Sequence, residues 1–278
     1  MSFDRRLTLI HEGVAARVLE GVVPARSYVD PTAMQVSAPA APLRRHPKDD
    51  AEQESRLLFG ERFDVLLEQD GYSFGQAARD GYVGWVPSEA LSGPPLLPTH
   101  RVKALRTFAF GQANIKTTPV GLYSLNALVT IEETDGRFAR AARSGWFMVD
   151  HLAPVGSDFE TDPAEVALHF VGAPYLWGGR ESLGLDCSAL VQQALNACGV
   201  ACPRDTDMQA RIGRAVEPAD LARGDLVFWK GHVAMMLDAE NMVHANGHHM
   251  ATVVEPLSDA ITRIEAAGNG PPTAYRRV

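Results

Sequence analysis

One cysteine in the C-terminal half of the chain has the position of a catalytic nucleophile. Cys187 begins a segment whose apolar residues recur at helical spacing, and Gly199 is a natural end for that helix. A helix N-terminus presents unpaired N–H groups and a partial positive charge. We therefore expect a stabilised thiolate at Cys187, which would still need a proton donor for its leaving group.

Two histidines that follow could supply this proton transfer. His232 begins one apolar run and His244 lies twelve residues later, on the next run. Neighbouring strands lie about 5 Å apart, so the two imidazoles can touch. One would exchange the proton and the other would hold its orientation and tautomer. Each residue alone also has a structural interpretation: the cysteine and histidines as core residues, Asp186 as a helix N-cap.

The elements around these residues predict a mixed α+β domain over 155–278. A helical pattern at 163–170 precedes the helix that begins at Cys187. The short apolar runs that follow are typical of neighbouring antiparallel strands, and they cover 226–229, 233–237, 242–245 and 252–254. A helix that carries the cysteine would thus pack on a sheet that carries the histidines.

The N-terminal half contains a degenerate internal repeat. Two Gly-Trp pairs lie 61 residues apart, each after an acidic-Gly turn and short apolar runs. Such runs with frequent turns predict two small β-barrels, at 35–95 and 96–154. Residues 1–34 are predicted to form a helical or irregular lead-in, that is, a segment before the first barrel. Trp85 and Trp146 are open to two interpretations, as barrel core or as ligand-facing residues.

Composition narrows the class of protein. The 278 residues carry a net charge of −8, with 46% hydrophobic and 22% charged residues, as in soluble globular proteins. An acidic chain without a Lys/Arg cluster disfavours nucleic acid or an anionic membrane as partner. Three cysteines are too few for a disulfide scaffold, and Cys198 and Cys202 lack a second pair for zinc. With no apolar run typical of a signal peptide or membrane span, we expect a cytoplasmic protein.

The surroundings of the three candidate residues resemble a known family. The motifs are PYLWGGR at 174–180, LDCSALV at 185–191, GDLVFW at 224–229, GHV at 231–233 and VHA at 243–245. Together they are similar to the signature of NlpC/P60 cysteine peptidases, with Ala189 where the family usually has Gly. The resemblance spans about 163–256 and implies a papain-like core that hydrolyses peptide bonds of the bacterial cell wall. The Gly-Trp repeat resembles bacterial SH3 domains.

The resemblance also implies catalytic roles. Cys187 would be the nucleophile, His232 the general base and acid, and His244 the residue that orients it. Tyr175, twelve residues before the cysteine, would line the site near the oxyanion. The backbone N–H of Cys187 would bind that oxyanion.

Two SH3-like modules before an NlpC/P60 domain are similar to the γ-D-glutamyl-L-diamino acid endopeptidases of cell-wall recycling. That resemblance implies a murein peptide with a free N-terminal L-Ala as substrate and no need for a metal or cofactor. We also expect a monomer. It implies Asp186 and Ser188 at the substrate amine, Arg204 and Thr206 at D-Glu, Tyr82 and Glu54 at the L-Ala end, and Trp177 as a further substrate-binding residue.

The sequence leaves three alternatives to this function. The same catalytic residues could serve a murein hydrolase or amidase that acts on intact cell wall. The chain could also be a non-catalytic wall-binding protein. A metal site at His244, His248 and His249 is disfavoured, because adjacent strand residues point to opposite faces.

Overall fold

The structure is a computed structural model that describes residues 3–278, and the chain divides into two compact units. The first unit ends at Val155 and is built from strands. The second runs from Gly156 to Val278 and combines helices with a sheet. The predicted α+β class is confirmed. No helix within residues 3–278 is long and apolar enough to cross a membrane.

The first barrel is a seven-stranded sheet. The strands from the start of the chain to the end of this barrel are β1 Ile10–His11, β2 Val14–Ala16, β3 Ser27–Val29, β4 Thr32–Val36, β5 Ala40–Arg44, β6 Gln53–Leu58, β7 Arg62–Gln69, β8 Tyr72–Ala77, β9 Val83–Pro87 and β10 Leu91–Ser92. The order of strands in the barrel sheet is β10-β4-β7-β8-β9-β5-β6. Its interior is filled by alternating apolar residues such as Leu43, Leu57 and Phe63, which are fully buried.

The lead-in was predicted to be helical or irregular over 1–34, and in the part that the structure describes it is mostly irregular, with a 3₁₀ turn at Arg17–Leu19, but it also contains short strands that the prediction missed. Strands β1, β2 and β3 form a small three-stranded sheet, and β4 already belongs to the barrel. Leu9 packs in one apolar cluster with Phe74 and Trp85, and the His11 ring lies 4.8 Å from Phe74. These strands are too short to show a period in the sequence, and tertiary burial stabilises them.

The second barrel repeats the element order of the first. Its strands are β11 His100–Val102, β12 Arg106–Phe110, β13 Pro119–Ser124, β14 Leu128–Val129, β15 Ile131–Asp135, β16 Phe138–Ala141, β17 Trp146–Met148 and β18 Leu152–Pro154. In both barrels the Gly-Trp strand leads through a 3₁₀ turn, Ser88–Ala90 or Val149–His151, into a short final strand. Trp85 is core, with 1% of its surface exposed, whereas Trp146 is half-buried.

The second unit contains four α-helices and a six-stranded antiparallel sheet. The helices are α1 Pro163–Leu168, α2 Cys187–Ala197, α3 Thr206–Gln209 and α4 Leu257–Ala266. The strands are β19 Arg180–Glu181, β20 Gly184–Leu185, β21 Arg214–Ala215, β22 Leu226–Trp229, β23 His232–Met236, β24 Asn241–Asn246, β25 Ala251–Pro256 and β26 Ala274–Arg277. The order of strands in the sheet is β21-β26-β22-β23-β24-β25.

Helix α2 is the centre of this unit. All but one of its residues are buried, which is the pattern of a helix enclosed on every side. It packs against α1 and against strands β23 and β24 of the sheet. Gly199 follows its end with a φ of 77°, a left-handed conformation that glycine adopts without strain. This packing holds the start of the helix beside the strands that carry the histidines.

Candidate active site

Cys187 is the first residue of α2, and Asp186 caps that helix. The Asp186 Oδ1 atom accepts the backbone N–H of Ala189 at 2.9 Å, which satisfies one of the unpaired donors of the first turn. Cys187 itself is 7% exposed. The backbone N–H groups of Val233 and Ser188 point at its sulfur, and Val233 directly follows His232 on β23.

The protonation state of the thiol differs from the sequence prediction. Burial raises the pKa of Cys187 to about 12, and the charge of Asp186 adds to the rise. The backbone donors and Arg204 oppose this with smaller effects. The prediction of a stabilised thiolate is therefore wrong for this structure, because desolvation of the sulfur outweighs the helix N-terminus.

The histidine pair has the predicted contact. The His232 Nε2 atom lies 2.8 Å from His244 Nδ1, and the ring centroids are 5.0 Å apart. Burial lowers the pKa of His232 to about 3, with the nearby charges of His244 and Arg263 as further causes. The imidazole is thus neutral at physiological pH, and it can accept the thiol proton as the sulfur attacks.

The chain of hydrogen bonds continues beyond the predicted residues. Glu255 Oε1 lies 2.6 Å from His244 Nε2, and both Arg263 Nη atoms donate to the Glu255 carboxylate, at 2.5 and 2.6 Å. Burial raises the pKa of Glu255, but the hydrogen bonds from His244 and Arg263 outweigh burial and hold it at about 2. Sequence reasoning missed Glu255 and Arg263, because only the pairing of β24 with β25 and the docking of α4 bring them to the histidines.

This series of hydrogen bonds determines which nitrogen of each histidine carries the proton. An ionised carboxylate has only acceptors, so the Nε2 atom of His244 carries the proton that Glu255 accepts. The Nδ1 atom of His244 then accepts the Nε2–H of His232. This arrangement leaves Nδ1 of His232 unprotonated, as a general base requires.

A second buried group lies at the same helix end. Arg204 donates through Nη1 to Asp186 Oδ1 at 3.0 Å and to Ser188 Oγ at 2.8 Å, and through Nη2 to Asp186 Oδ2 at 2.6 Å. The backbone N–H of Gly178 reaches Oδ2 at 2.9 Å, and Ser188 Oγ donates to Oδ1 at 3.1 Å. The structure thus brings together three of the predicted substrate-binding residues, and it satisfies the Asp186 carboxylate from within the protein.

Comparison with known proteins identifies the family of this chain. A model described as "NlpC/P60 family" matches residues 172–264, and one described as "Bacterial dipeptidyl-peptidase Sh3 domain" matches 43–91. The chain is 30% identical over 212 residues to the gamma-D-glutamyl-L-lysine dipeptidyl-peptidase of Bacillus subtilis (strain 168), which covers 69% of this chain and 72% of the relative. This chain belongs to the NlpC/P60 family. It is therefore a cysteine peptidase.

Two further relatives extend the comparison. The peptidoglycan endopeptidase RipB of Mycobacterium tuberculosis (strain CDC 1551 / Oshkosh) is 34% identical over 116 residues, which cover 34% of this chain and 48% of RipB. A crystal structure of an NlpC/P60 family protein from Bacillus cereus ATCC 10987 covers 88% of this chain and 99% of its own, with a TM-score of 0.75 and 21% identity. The fold, including SH3-like barrels before the peptidase unit, is thereby confirmed.

Of the other predicted residues of this NlpC/P60 peptidase, Tyr175 lies near the thiol. Tyr175 is half-buried, and its pKa is raised by burial and by the charges of Cys187 and Asp186. Its backbone N–H donates to Met250 O at 3.0 Å. Trp177 is 59% exposed, and Thr206 is the half-buried first residue of α3.

Two predicted residues belong to the first unit of the NlpC/P60 chain. Tyr82 is 4% exposed and packs in the core of the first barrel. Glu54 accepts a hydrogen bond from Arg45 Nε at 2.8 Å. Their assignment to the L-Ala end of a substrate stays a prediction.

The metal alternative meets an electrostatic obstacle in this peptidase. The atoms of His244, His249 and Glu255 that could bind a cation lie within 4.8 Å of one another, a set that differs from the predicted one because it lacks His248. However, His244 and Glu255 are hydrogen-bonded to each other, and Arg263 occupies both carboxylate oxygens. A guanidinium on the same carboxylate opposes a second cation there.

The buried pair of Asp186 and Arg204 leads to a stability prediction. We expect Arg204→Met to destabilise the peptidase unit by about 3–5 kcal/mol, because it leaves a buried carboxylate without its cation. The matched control is Arg223→Met, which removes an exposed pair with Asp162 and Glu165 and should cost about 0–1 kcal/mol. Urea unfolding followed by circular dichroism measures both. Equal losses in the two variants would contradict the prediction.

Proposed function

We propose that this peptidase hydrolyses the bond between γ-D-Glu and the diamino acid of murein peptides whose N-terminal L-Ala is free, as in cell-wall recycling. The observation that carries the proposal is the hydrogen-bonded chain from His232 through His244 to Glu255, beside the thiol of Cys187. The relative from Bacillus subtilis, named for γ-D-glutamyl-L-lysine peptides, supports the choice of bond.

The reaction proceeds through an acyl-enzyme. As the Cys187 sulfur attacks the γ-carbonyl carbon, its proton passes to Nδ1 of His232. The backbone N–H of Cys187 stabilises the oxyanion beside Tyr175. His232 then gives its proton to the departing α-amine of the diamino acid, which leaves the dipeptide as a thioester. Water, deprotonated by His232, attacks the thioester and releases L-Ala-D-Glu and the thiol.

Substrate recognition on the acyl side uses the residues at the start of α2 and α3. In this proposal Arg204 and Thr206 face the D-Glu carboxylate, and Asp186 and Ser188 face the amine. The structure pairs Arg204 with Asp186 and Ser188, so substrate binding in this proposal exchanges some of these internal hydrogen bonds for bonds to the peptide. The exposed ring of Trp177 offers an apolar face for the peptide.

The proposal places this reaction in the cytoplasm, carried out by a monomer. All three cysteines, Cys187, Cys198 and Cys202, are free thiols. Free thiols are typical of reducing compartments, where disulfides rarely persist, and this supports the location. Fractionation of the native host with an antibody to the chain, together with light scattering of the purified protein, tests both statements.

The first test of the substrate uses a matched pair of peptides. We expect purified protein to release L-Ala-D-Glu from L-Ala-γ-D-Glu-diaminopimelate, and to cleave the N-acetylated peptide at least about tenfold more slowly, because acetylation removes the ammonium charge. Mass spectrometry of the products measures both rates. Equal cleavage of the two peptides would remove the free-amine requirement, and cleavage of neither would overturn the proposed function.

A second candidate is a hydrolase of intact cell wall. It is favoured by the similarity to RipB, whose name is peptidoglycan endopeptidase. Release of soluble fragments from purified sacculi, together with equal cleavage of the two peptides above, would favour this candidate. A non-catalytic wall-binding protein is not supported, because the chain belongs to a peptidase family and its thiol and paired histidines are present.

A further inference from the structure

A cavity of about 290 Å³ lies on the histidine side of the catalytic residues. We call it the histidine-side cavity, and its walls come from the turn after β22, the end of β24 and the C-terminal part of α4. His232 and His244 both line it. Its volume is near the lower end of the range of about 300–1,000 Å³ for small-molecule sites.

The histidine-side cavity is separate from the acyl-side residues. Asp186, Ser188, Arg204 and Thr206 belong to the starts of α2 and α3, and none of them lines it. His232 therefore contributes to the wall of this cavity and is also the proposed proton donor to the leaving amine. Cys187 and Tyr175 do not line it, so the cavity adjoins the His232 imidazole rather than the sulfur, and a leaving group that receives its proton from His232 can extend toward it.

The charged side chains of the cavity wall are all basic. The wall contains Lys230 and Arg263 and no aspartate or glutamate, in a chain that has 34 acidic and 26 basic residues. Arg263 is neutralised by Glu255, which lies behind the wall. Lys230 is exposed, and within residues 3–278 its ammonium has no ion-pair or hydrogen-bond partner. The uncompensated charge of this wall is therefore positive.

A second group of the wall without a partner is also a donor. Trp229 lines the same cavity, is 2% exposed, and its indole N–H has no hydrogen-bond acceptor among residues 3–278. That indole N–H is itself buried, so the free charge that a ligand in the histidine-side cavity meets is the ammonium of Lys230. A free cation suits a carboxylate and opposes an ammonium group.

We propose that the histidine-side cavity is the leaving-group subsite and that Lys230 makes it select diaminopimelate over lysine. The inference rests on the proposed function, which supplies a diamino acid as leaving group. The far end of diaminopimelate carries a carboxylate and an ammonium, whereas that of lysine carries an ammonium alone. Lys230 attracts the extra carboxylate and repels a lone ammonium.

The test compares two substrates on the purified full chain. L-Ala-γ-D-Glu-meso-diaminopimelate and L-Ala-γ-D-Glu-L-Lys are assayed with the wild type, Lys230→Met, Lys230→Glu and the control Lys116→Glu, an exposed lysine of the second barrel. We expect the wild type and the control to prefer the diaminopimelate peptide by about two- to tenfold in kcat/KM. Lys230→Met should lose this preference and Lys230→Glu should reverse it.

Each other outcome overturns the inference in a recognisable way. An equal fall for both peptides in Lys230→Glu would mean that Lys230 contacts the α-carboxylate that both leaving groups share. An unchanged ratio, or a wild type that prefers the lysine peptide, would remove the cavity as a selective subsite and leave the proposed function standing. Cleavage of neither peptide by the wild type would remove the proposed function and this inference together.

Discussion

Replacing Cys187 by alanine is expected to lower kcat for the diaminopimelate peptide by at least about 10⁴-fold. The catalytic residues act as a unit, so loss of the nucleophile alone removes nearly all of the rate acceleration that they give together. The fold should survive the change. Helix α2 keeps its Asp186 cap, and alanine fits wherever the buried thiol does. We expect Cys187→Ser to be nearly as inactive, since His232 in this buried site must then activate a far weaker acid.

The matched control for this prediction is Cys198→Ala at the other end of α2. Cys198 is half-buried at the C-cap, outside the residues proposed to act on the substrate. It should keep wild-type kcat and KM. Product release by mass spectrometry and thermal unfolding by circular dichroism are measured for all three variants. Retained cleavage by a folded Cys187→Ala protein would exclude this thiol as the nucleophile.

Replacing Glu255 by alanine is expected to lower kcat by about 10²-fold or more while KM changes little, because the wrong tautomer of a catalytic histidine costs up to about 10⁴. Asn246 is the reason for so large an effect. Its Nδ2 lies 2.9 Å from His244 Nε2, and its Oδ1 is held by the backbone N–H of His249 at 2.8 Å. Without Glu255, this amide would donate to Nε2 of His244.

This new hydrogen bond from Asn246 would change which nitrogens of both histidines are protonated, and so would affect the nucleophile. His244 would then carry its proton on Nδ1 and donate it to Nε2 of His232. His232 would in turn be protonated on Nδ1 and could no longer accept the thiol proton of Cys187. Glu255 is therefore a positioning residue that acts through both histidines, and its loss should appear in kcat rather than in substrate affinity.

A second substitution distinguishes this tautomer mechanism from simple damage to the fold. We expect Asn246→Asp in the Glu255→Ala background to restore part of kcat, because the new carboxylate accepts the Nε2–H of His244 and still accepts the His249 N–H. The control is Asp259→Ala, another acidic residue near Arg263, which should keep wild-type kcat. A double variant as slow as Glu255→Ala, with the same melting temperature, would contradict the tautomer mechanism.

Local sequence patterns were sufficient for the elements that carry the chemistry. The helical period after Cys187 and the apolar runs around His232 and His244 predicted α2, β23 and β24, and the contact between the imidazoles follows from their place on neighbouring strands. The motifs around these residues also identified the family. Local periodicity and short motifs can be recognised without knowledge of distant contacts, because each depends on residues close together in the chain.

Distant contacts decided what the sequence left undetermined or predicted wrongly. Burial of Cys187 against β23 reverses the expected stabilisation of its thiolate, since desolvation depends on every neighbour of the sulfur. The N-terminal strands form because the first barrel covers them. Glu255 and Arg263 join the histidines only through sheet pairing and helix docking. The sequence by itself determined which residues could react, whereas the tertiary structure determined their protonation, because charge and solvent act through space.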